Sequence, residues 1–174
     1  PIARLNVYLS YERINSRGRY FNQENTADHL HLSTRYSTKQ DAYRITGALS
    51  WNKFNNIEYG GIVNDSDFAT NKYSNRELVD VNLLNSFSKL STAESSIEQS
   101  LRVVNLDSIT EIRAFYNFSL KNQYATFRST DSAFTQNAIF DLGEIRDSIR
   151  IQSLRNVIGI ALNMGKQLLK ARIS

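Results

Sequence analysis

The sequence predicts an all-β protein: an antiparallel up-and-down transmembrane β-barrel segment of about seven strands, with short turns on one side and long loops on the other. Three observations support this fold class. Apolar and polar residues alternate in several short segments, which is the period of a β-strand. Short and long connections alternate along the chain. The longest strictly aliphatic or small run, residues 157–162, is too short for a transmembrane helix, whereas a barrel strand needs only about 9–11 residues, half of them polar.

The clearest strand lies between Asp41 and Phe54. One face would consist of Tyr43, Ile45, Gly47, Leu49 and Trp51, and the other of Arg44, Thr46, Ala48, Ser50 and Asn52. From Tyr43 to Trp51 the apolar face spans roughly 26 Å, or roughly 20 Å of height at a tilt of about 40°. This height is close to that of the apolar band of an outer-membrane barrel. The opposite face, with an arginine and small polar groups, suits a water-filled lumen.

The other strands are predicted from the same alternation. In chain order they are residues 3–10, 30–36, 97–105, 111–120, 157–163 and 169–173. The connections between consecutive strands are residues 11–28, 38–41, 55–96, 106–108, 122–147 and 165–166. Within the longest of them, residues 78–84 alternate weakly and are predicted as a strand extension above the membrane.

Connection lengths and aromatic positions give the sheet an expected orientation. Connections two, four and six have about four residues, and connections one, three and five have roughly eighteen to forty, as in barrels with short periplasmic turns and long extracellular loops. Tyr36 and Tyr43 flank the same short turn, and Trp51 stands at the other end of its strand. These three side chains are candidates for the interfacial girdles of a membrane barrel.

Composition and chain ends narrow the function classes. There is no cysteine, so disulfides and cysteine-based zinc sites are excluded. The net charge of +4 is scattered along the chain instead of clustered, which argues against nucleic acid as a partner. Pro1 is not followed by a signal peptide, and the alternation is unfinished at Ser174. We therefore expect residues 1–174 to be part of one barrel domain cut from a longer chain, with no second domain.

Three segments resemble a known family. They are Gly60 to Phe68 (GGIVNDSDF), Val79 to Leu83 (VDVNL) and Ser153 to Leu162 (SLRNVIGIAL). In this order they resemble the "putative porin" family of outer-membrane β-barrel proteins in Bacteroidota. The resemblance implies an outer-membrane barrel longer than this segment, and it supplies no catalytic or pore-lining residues.

Few residues suggest chemistry. His29 and His31 would point the same way on a strand, but no third metal ligand is visible, so polar residues near a barrel rim are the preferred interpretation. Asp65 and Asp67 resemble the start of a calcium loop but lack its glutamate, which favours a turn held by side-chain hydrogen bonds. Asp141 and Glu144 have no apolar surroundings that would raise a pKa. No serine nucleophile motif is present. We expect neither a cofactor nor a metal, and no enzymatic activity.

A group of charged residues gives the most information about function. Seven residues are predicted to face the lumen: Arg4, Arg35, Arg44, Arg102, Arg113, Glu98 and Glu111. In the first interpretation, which we favour, these residues form a cross-strand ladder in which the glutamates neutralise the arginines. In the second, the arginines form a lumen wall that favours anions. The strand register decides between the two, and the sequence does not fix it.

The expected function is a passive channel for small polar solutes in the outer membrane of a Gram-negative cell. Its partners would be the lipid bilayer and, through the long loops, other outer-membrane proteins. One alternative is a non-conducting barrel that serves as a scaffold in an outer-membrane complex. A second alternative is a soluble all-β binding module, against which the outward aromatic residues at the strand ends argue.

Overall fold

The computed structural model describes residues 4–70, 72–106, 110–131, 143–164 and 167–173. Within these ranges seven strands form one antiparallel sheet in the order β1 to β7, so every strand pairs with its neighbour in sequence. The strands are β1 (Arg4–Ser16), β2 (Asn25–Ser37), β3 (Tyr43–Ile57), β4 (Ser86–Asn105), β5 (Thr110–Ser129), β6 (Ile145–Met164) and β7 (Gln167–Ile173). The predicted all-β up-and-down fold is confirmed. The sheet is open, with β1 and β7 at its edges.

Two short helices lie in the connection between β3 and β4. They are α1 (Asp65–Ala69) and a 3₁₀ helix (Arg76–Leu78). In the part of the chain that the structure describes, no helix is long and apolar enough to cross a membrane.

Most strands are longer than predicted, mainly at the end where the long connections lie. The predicted loops 11–28, 55–96 and 122–147 were too long, and the observed connections are residues 17–24, 58–85 and 130–144. The added strand residues carry polar side chains on both faces, as in Glu12 and Arg13 of β1, so they show no apolar alternation. The backbone ladder nevertheless continues through them, because its hydrogen bonds do not depend on side-chain polarity.

The short connections keep their predicted places. Residues 38–42 join β2 to β3, residues 106–109 join β4 to β5, and residues 165–166 join β6 to β7. The turn residues at 107–108 and 165–166, like Ala3, lie outside the described residues. The predicted strand extension at 78–84 is wrong: its Val81 forms an isolated bridge to Ile62 instead of joining the sheet.

The register assigns each side chain to one of two faces, because directly paired residues lie on the same side of a sheet. One face, here called the apolar face, contains the row Leu9, Leu32, Leu49, Ser95, Leu120 and Leu154. The other, the polar face, contains the row Asn6, Arg35, Thr46, Glu98, Asn117 and Val157.

The described residues provide almost no apolar core. Buried apolar side chains are Val79, Val81, Leu83, Val157 and Ala161, of which the first three belong to the connection between β3 and β4. On the apolar face, by contrast, Leu9 is 67% exposed, Leu154 is 61% exposed and Ile158 is 64% exposed. A sheet of this kind is held by its backbone ladder and cross-strand neighbours, and its apolar face remains uncovered.

Candidate functional site

All seven residues predicted to face the lumen lie on the polar face. Arg4 pairs directly with Ser37, and Ser37 pairs in turn with Arg44. Arg102 pairs directly with Arg113. Glu111 precedes Arg113 by two positions on the same strand. A β-bulge at Val103 shifts the pairing between β4 and β5 just beyond Arg102.

Four of the seven residues come together in one ion-pair cluster, the arginine cluster, formed by Arg44, Arg102, Arg113, Asp41 and Glu111. Nε of Arg102 donates to Oε2 of Glu111 at 2.7 Å, and Nε of Arg113 donates to Oε1 of Glu111 at 2.7 Å. Nη2 of Arg113 donates to Oδ2 of Asp41 at 3.1 Å, and Arg44 forms an ion pair with the same carboxylate. Three guanidinium groups thus share two carboxylates.

Arg113 is the centre of this cluster. Its side chain is 4% exposed, so its charge is almost fully removed from water. Such a charge is tolerated only when partners replace the lost solvation. Two carboxylates do so here, together with the backbone oxygen of Asp41. Nη1 has no hydrogen-bond partner among the residues that the structure describes.

Two residues that contact the arginines or Glu111 of this cluster were not predicted from the sequence. Asp41 was assigned only to a turn, yet its carboxylate joins Arg44 to Arg113. Its φ of +58° is a left-handed conformation that aspartate tolerates, and its amide donates to the oxygen of Thr38 at 2.9 Å. Nδ2 of Asn163 donates to Oε1 of Glu111 at 2.9 Å. For Asp41, the only signal in the sequence is an acidic residue two positions before β3, the strand that carries Arg44.

The other three predicted residues are not drawn into the cluster. Thr46 separates Arg35 from Glu98 in their shared row. Within the described ranges, the side chain of Glu98 accepts a single hydrogen bond, from Nδ2 of Asn117 at 3.5 Å. Neither Arg4 nor Arg35 has an ion pair within the described ranges, and both are exposed. The polar face therefore combines a ladder around Glu111 with unpaired arginines nearer to β1.

The histidine pair also lies on the polar face, nearer to the long connections than the arginine cluster. The rings of His29 and His31 are stacked, with centroids 6.3 Å apart and planes 7° apart, and Nδ1 of His29 contacts Oδ1 of Asn52. Tyr8 lies 6.0 Å from His31, ring to ring. No group of three or more metal-ligating His, Cys, Asp or Glu side chains forms anywhere in the described part of the chain.

The three girdle candidates lie on the apolar face. Tyr36 pairs with Ile45 in a row that continues to Gln99 and Tyr116, and the hydroxyl of Tyr43 donates to Oε1 of Gln99 at 3.0 Å. Trp51 lies at the other end of β3, in the row of Tyr11, Leu30, Ala93, Asn122 and Gln152. From the row of Tyr43 to the row of Trp51, no paired strand residue that the structure describes on the apolar face is Asp, Glu, Lys or Arg.

The connection between β3 and β4 folds on itself through the segments that carry the family resemblance. Gly60 and Gly61 both have positive φ, and a side chain at Gly60 would collide with Leu83. The amide of Val63 donates to the oxygen of Asp80 at 3.0 Å, and that of Leu83 donates to the oxygen of Tyr59 at 3.0 Å. The glycine motif thus shapes a loop.

The segment that begins like a calcium loop, but for which a turn held by side-chain hydrogen bonds is the preferred interpretation, forms the start of a short helix. Oδ1 of Asn64 accepts the amide of Ser66 at 3.0 Å and its hydroxyl at 2.8 Å, which is a side-chain cap for α1. Asp65 begins this helix, and the side chain of Asp67 lies outside what is described. Of the other acidic pair, Asp141 lies outside the described residues.

Glu144 forms ion pairs with Arg128 and Arg146. The hydrogen bond from Arg146, assisted by Arg128, holds the pKa of this carboxyl below its usual range despite partial desolvation.

A buried carboxylate fixes the ends of β4 and β5. Asp131 accepts the amide of Leu84 at 2.9 Å and that of Asn85 at 3.1 Å, and it also accepts the hydroxyl of Ser86. Desolvation raises the pKa of Asp131, but the hydrogen bonds from Ser86, the two amides and Ser129 outweigh it and lower the pKa.

Comparison with known proteins agrees with this architecture. No curated protein and no solved structure matches the chain. The sequence does match the family described as "Putative porin" over residues 2–173, which is nearly its whole length. An all-β up-and-down sheet with one uncharged, exposed apolar band and one charged face fits an outer-membrane barrel. The chain therefore belongs to the putative porin family.

Proposed function

We propose that this chain forms part of an outer-membrane β-barrel that acts as a passive channel for small polar solutes. One observation carries the proposal: the five rows of the apolar face from Tyr43 to Trp51 are uncharged and largely exposed, whereas the opposite face is charged. In water such a face would aggregate, and in a bilayer it is the surface that lipid covers.

The polar face would then line a water-filled lumen. Arg4, Arg35 and Glu98 are exposed on it, and Ser50 and Asn117 carry small polar groups. Charged side chains at this depth are tolerated only beside water or a charged partner. This arrangement supports diffusion of polar solutes along the wall, and it needs neither cofactor nor chemistry. The cellular location proposed is the outer membrane of a Gram-negative bacterium.

Conductance of the purified protein in planar lipid bilayers tests the channel. We expect stepwise ionic currents that persist without an energy source. In liposomes, small sugars should enter at rates that fall with solute size. A protein that inserts into the bilayer but passes neither ions nor sugars would contradict the channel and leave the barrel in place.

A second candidate is a non-conducting barrel that holds other envelope proteins. The observation that favours it is the folded surface made by two of the long connections. The rings of Tyr20 and Tyr59 are stacked with centroids 5.9 Å apart, and Nδ2 of Asn22 donates to the oxygen of Leu84 at 2.7 Å. Co-purification of defined outer-membrane partners with a barrel that carries no current would favour this role over the channel.

A soluble all-β binding module is the third candidate. It predicts a purified protein that stays monodisperse without detergent. The exposed apolar face, with Leu9, Leu154 and Ile158 all more than half exposed, argues against it.

A further inference from the structure

Among the strand residues that the structure describes, those on the apolar face are charged at one end of the sheet. Above the row of Trp51, toward the long connections, the strands carry six basic residues, here called the basic belt: Arg13, Lys53, Lys89, Arg128, Arg146 and Arg150. The only acidic strand residue with them is Asp28. At the short-connection end, no described strand residue of this face is charged.

The belt keeps a surplus of positive charge after its internal ion pairs are counted. Asp28 pairs with Arg13 at 3.4 Å and accepts the hydroxyl of Tyr11 at 2.8 Å. Glu144, just before β6, is shared by Arg128 and Arg146. The remaining three, Lys53, Lys89 and Arg150, have no ion pair within the described ranges.

An apolar groove lies directly below the belt. Its volume is about 310 Å³, and its lining includes Leu30, Leu49, Trp51, Ala93, Ser95 and Leu120. Glu94 also borders the groove, although its register position places it on the polar face. The small side chains of Ala93 and Ser95 form its floor between larger neighbours on β3 and β5. Lys53 lies two residues above Trp51 on β3, which is about 6.6 Å along a strand. A hydrocarbon chain in the groove would therefore place its headgroup at the belt.

We propose that the basic belt and this groove bind phosphate-bearing lipids of the leaflet at the long-connection end. Guanidinium and ammonium groups form charge-assisted hydrogen bonds with phosphate oxygens, and each basic group near a membrane surface strengthens the attraction to anionic lipid. Because the opposite end of the face lacks basic residues, the preference is confined to one leaflet. The inference rests on the proposed membrane-spanning function, since it needs the apolar face to meet lipid.

The single tryptophan, Trp51, reports on this site. The purified protein is reconstituted in vesicles of phosphatidylcholine mixed with phosphatidic acid, and only one of the two lipids carries bromine on its acyl chains. Bromine quenches tryptophan fluorescence on contact, so the two series measure which lipid occupies the groove. We expect phosphatidic acid to be enriched roughly fivefold for each basic side chain that it contacts. The enrichment should fall as salt is raised, because exposed charges are screened.

Two variants identify the residues responsible for the lipid preference. Combined Lys53→Ser, Lys89→Ser and Arg150→Ser substitutions should reduce the enrichment to nearly onefold. Lys121→Ser is the control, because Lys121 lies on the polar face next to Asn122, which belongs to the row of Trp51. It should leave the enrichment unchanged. Equal loss in both proteins would overturn the belt as the lipid site.

The unmodified protein separates the possible failures without relying on variants. Quenching of Trp51 by both lipids to the same extent at low salt would overturn the lipid preference and leave the membrane assignment intact. Absence of quenching by either lipid would overturn the membrane-facing surface itself and the proposed function with it.

Discussion

Adjacent residues of β3 face different surroundings. Leu49 lies in the middle of the apolar face and is 54% exposed, while Ser50 lies on the polar face. In a bilayer, Leu49→Arg should cost about 2–4 kcal/mol near the midplane, because a guanidinium would enter hydrocarbon. Ser50→Arg should cost little beside a water-filled lumen. Urea unfolding of the bilayer-inserted protein measures both values, and equal costs on the two faces would indicate a soluble packed core instead.

Gly159 of β6 has a packing role on the polar face. A side chain there would collide with the carbonyl oxygen of Ala171 and with the ring of Phe115, which covers the glycine. We expect Gly159→Ala to destabilise the sheet by about 1–3 kcal/mol through overpacking. Gly47→Ala is the matched control, because the nearest atom to its new methyl group would be 4.0 Å away on Thr34. Similar stabilities of the two variants would show that the contact with Phe115 is not a constraint.

Asp131 gives the connection after β5 a pH-dependent component of stability. Its pKa is lowered in the folded protein, so its contribution is fully present above the unfolded value of about 3.9 and is lost as the pH falls through the lower folded value. Asp131→Asn should remove this contribution. The difference in melting temperature between the two proteins should therefore be largest above about pH 5 and should shrink in more acidic solution. A difference independent of pH would mean that the negative charge is not what holds Leu84 and Asn85.

The strands show how much of the fold can be predicted from the sequence. The alternation of apolar and polar residues located all seven strands and assigned Arg44, Leu49 and Trp51 to their faces. It could do so because a strand with one apolar and one polar face has a sequence period of two residues. It missed the extensions such as 86–96 of β4, since a strand with polar residues on both faces has no such period. The arginine cluster could not be derived either. Asp41 and Arg113 are 72 residues apart, and only the register of β3, β4 and β5 brings them together.

The connections predict the orientation of the sheet in the membrane. Residues 38–42 and 58–85 lie at opposite ends of β3. Because the protein has no cysteine, single cysteines at Gln40 and Asp65 can be labelled selectively. With a membrane-impermeant maleimide on intact cells, Asp65→Cys should react and Gln40→Cys should react only after the cells are opened. Labelling of both from outside would contradict the assignment of short connections to the periplasm.

The whole sheet has two unpaired edges. The backbone groups along the outer sides of β1 and β7 have no ladder partner in the described part of the chain. In hydrocarbon each unsatisfied group costs several kcal/mol, so an open edge is not tolerated there. We therefore expect the 174-residue polypeptide alone to refold heterogeneously in detergent and to lack the gel shift on heating that closed barrels show. A monodisperse, heat-modifiable species would show that its edges find partners.

The parity of the sheet restricts what those partners can be. Antiparallel neighbours reverse direction at every step, so the first and seventh strands run the same way. Joining β1 directly to β7 would create a parallel pair, and a second copy inserted in the same orientation would offer each edge a strand of the wrong direction. A cylinder that is antiparallel throughout needs an even number of strands. Closure therefore requires an odd number of further strands, and those that flank β1 and β7 must both run opposite to them, whichever polypeptide carries them.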